Sequence, residues 1–177
     1  SSETGYSPVA DCDADGNVHI LYGISDSGGN GNTGLGSLKY VKVCNNQIQI
    51  YSKIYYMQEE NNPHMVVCYS IANHLLFSDK TIFIAYQLSN DSIYLKYSVD
   101  QGLTWVQGGV LRGTDPKLSI GPGSHWSDPV IEDATFPVLL YLDSQGNLVN
   151  TYANFYASPS DTTLWWMGSD KIQDGPV

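Results

Sequence analysis

The sequence predicts an all-β domain built from antiparallel meanders, and three observations lead to this fold class. Tyrosine is abundant, with 13 residues, and glycine reaches 17, whereas charged residues make up only 15% of the 177-residue chain. This composition is typical of strands joined by tight turns and not of helices. Sequence windows alternate or carry short β-branched and aromatic runs instead of a helical period. A pair of such runs also recurs three times along the chain.

Ten strands are predicted in chain order. Eight have clear patterns, at 17–24, 37–43, 48–57, 65–72, 81–88, 92–99, 138–142 and 147–152, and two have weaker ones, at 105–111 and 163–168. Turn-forming residues separate them at 15–17, 45–46, 89–91, 100–102 and 144–147. Glycine-rich loops are expected at 25–36 and 121–123.

The recurring pair of strands predicts the architecture. The segment 18–22 leads to 38–40, 82–86 leads to 95–97, and 138–141 leads to 149–152. Each unit is therefore expected to be a meander of about four short strands, the blade of a propeller. Three units fill the chain, whereas closed propellers usually have about four to eight blades. An open or truncated propeller is expected, with a distorted sandwich or an oligomer of such pieces as alternatives.

Charge and cysteine content exclude several classes of function. The net charge of −10 would repel a nucleic acid and suits divalent cations or simple solubility. Three cysteines (Cys12, Cys44 and Cys68) do not make a disulfide framework; a Cys12–Cys44 bridge is possible, but free buried thiols are favoured. Apolar runs stay below membrane-spanning length, so no membrane insertion is expected. We interpret residues 1–177 as one domain, the trimmed C-terminal or distal part of a longer chain.

One segment carries a specific resemblance. Residues 98–105 read Ser-Val-Asp-Gln-Gly-Leu-Thr-Trp, which resembles the Asp-box, S-x-D-x-G-x-x-W, of sialidases and related propellers. The likeness implies a propeller scaffold with structural roles for Ser98, Asp100, Gly102 and Trp105. In such a turn the carboxylate accepts backbone N–H groups, the glycine takes a positive φ, and the tryptophan packs beneath the loop.

Catalysis is not expected from this chain. A sialidase needs three arginines around the sugar carboxylate, and this sequence has one, Arg112. The acidic pairs Glu59-Glu60 and Glu132-Asp133 are adjacent in sequence, so on strands they would point to opposite faces. We therefore predict no catalytic residues.

The acidic segment near the start allows two interpretations. Asp11, Asp13 and Asp15 alternate before Gly16, as at the start of a calcium loop, and Asn17 could add an oxygen ligand. The later positions of an EF-hand are not matched, so a calcium site would need help from the next loop, with Asp26 as the candidate. The alternative is an acidic β-turn capped by Asp13. We predict a calcium ion bound by these five residues.

Aromatic residues are candidate platforms for sugar stacking, since sugars rest their apolar faces on rings. The predicted ligand-binding residues are Trp126, Trp165, Trp166, Tyr51 and Tyr55. The alternative is that most of these aromatics pack in the core or at an interface.

The sequence thus favours a non-catalytic receptor-binding domain, recognising a glycan or another cell-surface ligand, at an extracellular or virion surface. Such an acidic, tyrosine-rich β-domain is similar in type to the distal domain of a bacteriophage receptor-binding spike. That likeness implies a homo-oligomer assembled through a missing part of the chain. The alternatives are a fragment of a sialidase-like glycosidase and a structural segment that serves assembly only.

Overall fold

The fold is described from a computed structural model, which covers residues 4–25, 36–56, 61–67, 81–88, 91–122, 135–154 and 165–173. These residues form strands and turns, and no helix occurs among them. The twelve strands are β1 (Thr4–Cys12), β2 (Val18–Ser25), β3 (Gly36–Cys44), β4 (Gln47–Tyr56), β5 (Asn61–Val67), β6 (Ile82–Leu88), β7 (Ser92–Ser98), β8 (Val106–Arg112), β9 (Thr114–Pro122), β10 (Thr135–Leu142), β11 (Leu148–Asn154) and β12 (Trp165–Gln173). The predicted all-β class is confirmed.

Three four-stranded antiparallel sheets follow one another along the chain, and we call them blades 1, 2 and 3. Blade 1 has the order β1-β2-β3-β4, blade 2 the order β5-β6-β7-β8, and blade 3 the order β9-β10-β11-β12. The strand pairs that recur in the sequence are the two inner strands of each sheet. The prediction of about three open, blade-like meanders is confirmed, and the described strands close no barrel.

Hairpin turns lie where the sequence predicts them. Asn45 and Asn46 connect β3 to β4 and both have positive φ values, 50° and 59°. This is the geometry of a two-residue hairpin turn, and asparagine tolerates it better than most residues. Gly102 and Gly146 take positive φ in the two later turns, at 92° and 79°.

Two strands were not predicted, β1 and β9, and a third, β5, begins four residues before its predicted start. Each is the first strand of its blade and lies at a sheet edge. Each also has a proline beside a shift in register, Pro8, Pro63 or Pro116. Proline interrupts the alternating pattern and lacks the N–H that a ladder needs, so it is tolerated at edges and bulges.

The remaining differences concern the ends of predicted strands and loops. Strand β12 runs to Gln173 instead of ending at 168, and β9 takes in Gly121 and Pro122 from the predicted glycine-rich loop. Residues 68–72, 26–35 and 123 of the predicted strand and loops lie outside the described part of the chain.

Blade 2 lies between the other two and is buried on both of its faces. Alternate residues of β6 point to opposite sides, so Ile82, Ile84 and Tyr86 face blade 1 while Phe83 and Ala85 face blade 3. The core between blades 1 and 2 contains Leu21, Leu38, Tyr40, Ile54, Met65, Val67, Ile82, Ile84 and Tyr86. The core between blades 2 and 3 contains Phe83, Ala85, Ile93, Leu95, Tyr97, Leu118, Leu139, Tyr141 and Val149.

We call the side of a blade that faces the next blade in the chain its forward face, and the opposite side its rear face. In this order, β1 lies against β5 and β5 lies against β9. The first strands of the blades therefore line the middle of the stack, as inner strands of a propeller do.

The described cysteines are both free thiols, Cys12 and Cys44. The expectation of buried thiols is wrong for Cys12, which is exposed because it is the last residue of the edge strand β1. Cys44 is half-buried, and Cys68 lies outside the described residues.

Candidate functional site

The β7–β8 turn, residues 98–105, is tied together by its own side chains. The Asp100 carboxylate accepts hydrogen bonds from the Thr104 backbone N–H at 2.8 Å and the Thr104 hydroxyl at 2.5 Å. It also accepts the Ser98 hydroxyl at 2.7 Å, and that Ser98 oxygen accepts the Gly102 N–H at 2.7 Å. Burial acts to raise the pKa of Asp100, but the hydrogen bonds from Thr104 and Ser98 outweigh it and lower the pKa.

This turn docks on blade 1. The Gly102 carbonyl accepts a hydrogen bond from the Ser52 hydroxyl of β4 at 2.8 Å. The Trp105 indole N–H donates to the same Ser52 oxygen at 3.2 Å. The Trp105 ring meets the Tyr40 ring edge-on, with centroids 5.3 Å apart. The turn is therefore both internally hydrogen-bonded and fixed against its neighbouring blade.

A second compact turn joins β1 to β2. The Asp13 Oδ1 atom accepts the N–H groups of Asp15 and Asn17, at 3.0 and 2.9 Å, and Oδ2 accepts the Asn17 side-chain amide at 2.8 Å. The Asp13 N–H donates to the Asn17 carbonyl, and the Gly16 N–H donates to the Asp13 carbonyl. These bonds form the acidic turn that was the alternative to calcium.

The same turn recurs between β10 and β11, a repeat that was not predicted. Asp143 accepts the Asn147 N–H at 2.9 Å and the Asn147 amide at 2.8 Å, as Asp13 does from Asn17. The signal was present as the shared spacing D-x-x-G-N in residues 13–17 and 143–147.

Asp13 also belongs to a buried polar cluster, which we define as Asp13, His19, Tyr40 and Lys42. The His19 Nε2 atom lies 3.2 Å from Asp13 Oδ2, and its Nδ1 atom lies 2.6 Å from the Tyr40 hydroxyl. The Lys42 ammonium lies 3.7 Å from the same Asp13 oxygen. All four side chains are buried.

The cluster reaches across to the β7–β8 turn. The Tyr40 hydroxyl lies 3.1 Å from the Gln101 carbonyl, and the Lys42 ammonium donates to the Gln101 side-chain oxygen at 2.5 Å. Tyr40 has one hydroxyl proton for two acceptors, His19 Nδ1 and the Gln101 carbonyl. When His19 is neutral, with its hydrogen on Nε2 facing Asp13, the Tyr40 hydroxyl donates to His19 Nδ1. When His19 is protonated, Nδ1 also carries a hydrogen, and the Tyr40 hydroxyl donates to the Gln101 carbonyl instead.

Electrostatics hold Asp13 ionised and His19 neutral. Burial acts to raise the pKa of Asp13, but hydrogen bonds from Asn17 and His19 lower it to about 2. Burial lowers the pKa of His19 below 6.5, although the Asp13 carboxylate opposes this shift. Burial, with a smaller contribution from the Asp13 charge, raises the pKa of Tyr40. None of the three groups is placed to exchange protons with a substrate, because all are enclosed.

The predicted calcium residues are only partly brought together. Asp13, Asp15 and Asn17 share the β1–β2 turn, whereas the Asp11 carboxylate accepts the Val67 N–H of β5 at 2.8 Å and the Cys12 N–H at 2.8 Å. Asp26 lies outside the described residues. Four protein donors already occupy the Asp13 oxygens, which is the full capacity of a carboxylate. Within the described ranges no group of three His, Cys, Asp or Glu side chains could hold a metal.

Among the predicted aromatic platforms, Tyr51 is the one whose side chain is described. It is exposed on β4, and the Lys39 ammonium lies over its ring, 5.1 Å from the centroid. Trp165 and Trp166 open β12, opposite Asn154 and Ala153, and Tyr55 lies opposite Leu38. The side chains of these three residues, and all of Trp126, lie outside the described part of the structure. The acidic pairs Glu59-Glu60 and Glu132-Asp133 lie outside it too.

The β7–β8 turn presents an unpredicted surface. Val99 and Leu103 in the turn, together with Val106 at the start of β8, are exposed, with Leu103 65% exposed. We call these three residues the apolar tip.

Comparison with known proteins gives no family for this chain. No protein-family profile matches it, and no curated protein shows significant similarity to it. The described residues contain no helix of the length and apolar character needed to cross a membrane.

Proposed function

We propose that this chain is a non-catalytic receptor-binding domain of a viral spike or an extracellular adhesin. The observation that carries the proposal is the β7–β8 turn, which is fixed by hydrogen bonds on both sides and yet presents the apolar tip to solvent. Exposed apolar side chains on a pre-organised loop suit binding, because little conformational entropy is lost when a partner docks.

The hydrogen bonds made by the polar side chains support the proposal that the chain is not catalytic. The Asp100 and Ser98 side chains are engaged in the turn, and those of Asp13 and His19 are engaged in the buried cluster. Asp13, His19 and Ser98 are buried, whereas a general base or nucleophile must reach the substrate. The single arginine, Arg112, lies exposed at the end of β8 and cannot alone provide the three-arginine clamp of a sialidase.

The ligand is proposed to be a cell-surface molecule, with an apolar contact at the tip. A glycan would require an aromatic platform as well, and Tyr51, Tyr55, Trp126, Trp165 and Trp166 remain the candidates for it. The proposed location is the virion or the cell exterior.

Attachment assays test this proposal. The labelled chain is applied to a glycan array and to a panel of intact bacterial cells, and saturable attachment to at least one surface is expected. A fluorogenic sialoside is incubated with the same preparation, and no hydrolysis is expected. Absence of attachment to every surface would remove the binding proposal, and turnover of the sialoside would favour the glycosidase alternative.

A further inference from the structure

Gln101, between Asp100 and Gly102 in the β7–β8 turn, has a backbone conformation that glutamine does not favour. Its φ is 62°, in the left-handed region. Among the described residues six other than glycine have a positive φ, and four of these are asparagine or aspartate, which tolerate this region better than most. Glutamine has no such advantage. Surrounding groups must therefore hold Gln101 in place, as they do at other strained positions in proteins.

The hydrogen bonds inside the turn do not hold the Gln101 side chain. They join the residues around it, which are Ser98, Asp100, Gly102 and Thr104. The hydrogen bonds that the described residues make to Gln101 come from blade 1 instead, one to its side chain and one to its carbonyl. The strained residue of this turn is thus held from the neighbouring blade.

Lys42 provides the contact with the Gln101 side chain. It lies on the forward face of blade 1, two residues after Tyr40 along β3. Its ammonium donates to the Gln101 side-chain oxygen at 2.5 Å, and Lys42 is only 7% exposed. A buried ammonium needs acceptors, and its described acceptors are this oxygen and Asp13 Oδ2 at 3.7 Å. A hydrogen bond from a charged donor is stronger than one between neutral groups.

Tyr40 contributes less to holding Gln101. Its hydroxyl lies 3.1 Å from the Gln101 carbonyl and 2.6 Å from His19 Nδ1, and one hydrogen serves these two acceptors. Neutral His19 takes that hydrogen. Lys42 is then the residue of blade 1 that donates to Gln101.

The conformation of Gln101 determines where the apolar tip points. Gln101 and Gly102 are consecutive residues with positive φ, 62° and 92°. Val99 lies two residues before this pair and Leu103 directly after it. A change of φ or ψ at Gln101 would turn one of these apolar side chains relative to the other. The Ser52 hydroxyl also bonds the Gly102 carbonyl, so blade 1 contacts both residues of the pair.

We propose that Lys42 is a positioning residue for the apolar tip. Its bond to Gln101, across the interface between blades 1 and 2, keeps the β7–β8 turn in the conformation that presents Val99 and Leu103. The hydrogen bonds within the turn are then not sufficient to order it. This inference concerns the order of the turn and does not depend on the proposed receptor-binding function.

Gln101→Asn tests the inference, because two explanations of the turn predict opposite results. Asparagine tolerates a positive φ better than glutamine. Its side chain is one methylene group shorter, however, so its oxygen no longer reaches the Lys42 ammonium. If the bond from Lys42 orders the turn, this variant has a looser turn than the wild type. If local backbone preference orders it, the variant has a tighter one.

Amide hydrogen exchange, followed by NMR, measures the order of the turn. The reporter amides are the Gly102 N–H, which donates to Ser98, and the Thr104 N–H, which donates to Asp100. In Gln101→Asn both are expected to exchange about tenfold faster or more, as a hydrogen bond to a charged group is lost. Unchanged or slower exchange of the reporter amides would overturn the inference.

A reference amide separates local loosening from a loss of overall stability. The Asn147 N–H donates to Asp143 at 2.9 Å in the β10–β11 turn of blade 3. Its exchange is expected to be the same in Gln101→Asn as in the wild type. An equal increase at Asn147 and at the reporter amides would mean that the variant acts on the whole fold, and would contradict the inference.

Lys42→Met removes the donor and is expected to speed exchange of the reporter amides by a similar factor. Lys117→Met is its control, since it removes a lysine that lies 2.8 Å from Asp115 on blade 3, away from the turn. This control should leave the reporter amides unchanged. An equal effect of the two lysine variants would exclude a specific role for Lys42.

The double variant shows whether Lys42 and Gln101 act as one contact. Once Gln101→Asn has removed the acceptor, Lys42→Met is expected to speed exchange of the reporter amides by less than about twofold further. Effects that multiply in full would show that the two residues act independently, and would overturn the inference. If Lys42→Met does not fold, because Asp13 loses its counter-charge, the reporter amides of Gln101→Asn still decide it.

Discussion

Gly102 of blade 2 lies against the ring of Tyr40 of blade 1, so closely that a Cβ atom at residue 102 would fall 2.0 Å from Tyr40 Cε1. Tyr40 is fully buried, and its hydroxyl is held between His19 and the Gln101 carbonyl. The ring therefore cannot move aside at low cost. This contact explains why the β7–β8 turn needs a glycine for the neighbouring blade as well as for its own φ of 92°.

Gly102→Ala is predicted to destabilise the fold by about 3 kcal/mol or more, as overpacking adds to the strain of a positive φ. Gly146→Ala is the matched control, because Gly146 has a φ of 79° but no atom within 4 Å of the added Cβ. Gly146→Ala therefore adds only the strain of a positive φ, and we expect it to lower the free energy of unfolding by about 1 kcal/mol. Urea unfolding of both variants measures the difference, and equal losses would show that the Tyr40 contact is not tight.

Asp13→Ala is predicted to cost at least about 2 kcal/mol more than Asp143→Ala. Both variants lose the same set of turn hydrogen bonds. Only Asp13→Ala also removes the acceptor beside buried His19 and the counter-charge 3.7 Å from Lys42. Denaturant unfolding compares the two, and similar losses would mean that the buried cluster adds nothing to stability.

His19 is predicted to make stability fall as the pH drops below about 6.5. Its pKa is lowered in the folded protein, so the unfolded chain binds a proton in a range of pH where the native protein does not. The free energy of unfolding must then decrease with decreasing pH, from 6.5 down to the folded pKa. His19 faces Asp13 and Lys42, and the charge of Asp11 also acts on it.

His19→Gln is expected to flatten the pH profile of stability in this window, because glutamine does not titrate. Unfolding is measured for both proteins at a series of pH values from neutral to acidic. Parallel profiles would contradict the assignment of this dependence to His19.

Stability is also expected to fall in a second, lower pH range because of Asp13. Protonation of Asp13 between pH 3.8 and about 2 removes about 2 kcal/mol from the free energy of unfolding.

The β1–β2 turn is predicted to need no cation, since protein donors fill the Asp13 oxygens. The thermal midpoint is expected to be the same in calcium and in chelator. A rise with calcium would restore the five-residue calcium hypothesis, because a ligand of the native state raises stability by mass action. Asp26→Asn would then show whether the loop after β2 provides a ligand.

Much of the fold could be predicted because the inner strands carry their own signals. β6, for example, alternates residues between two cores and is apolar or aromatic from Ile82 to Tyr86. The first strands of blades 1 and 3 could not be predicted, because Pro8 and Pro116 break the pattern at edges where a missing N–H is tolerated.

The candidate site was less predictable, since it depends on packing between distant segments. His19 and Tyr40 are 21 residues apart, and Tyr40 and Gln101 are 61 apart. No local pattern indicates that these side chains meet. The motif of the β7–β8 turn could be recognised in the sequence. Its docking on Ser52 and the exposure of Leu103 could not, because they depend on how the two blades pack.

Equilibrium binding of Leu103→Glu tests the central claim most directly. A surface that the wild-type chain saturates is titrated with wild type, with Leu103→Glu, and with Val110→Glu as control, since Val110 is 52% exposed on β8 outside the apolar tip. The proposed function predicts at least a tenfold weaker affinity for Leu103→Glu, the effect of about 1.4 kcal/mol, and an unchanged affinity for Val110→Glu. Unchanged binding by Leu103→Glu, with its fold intact, would contradict the account.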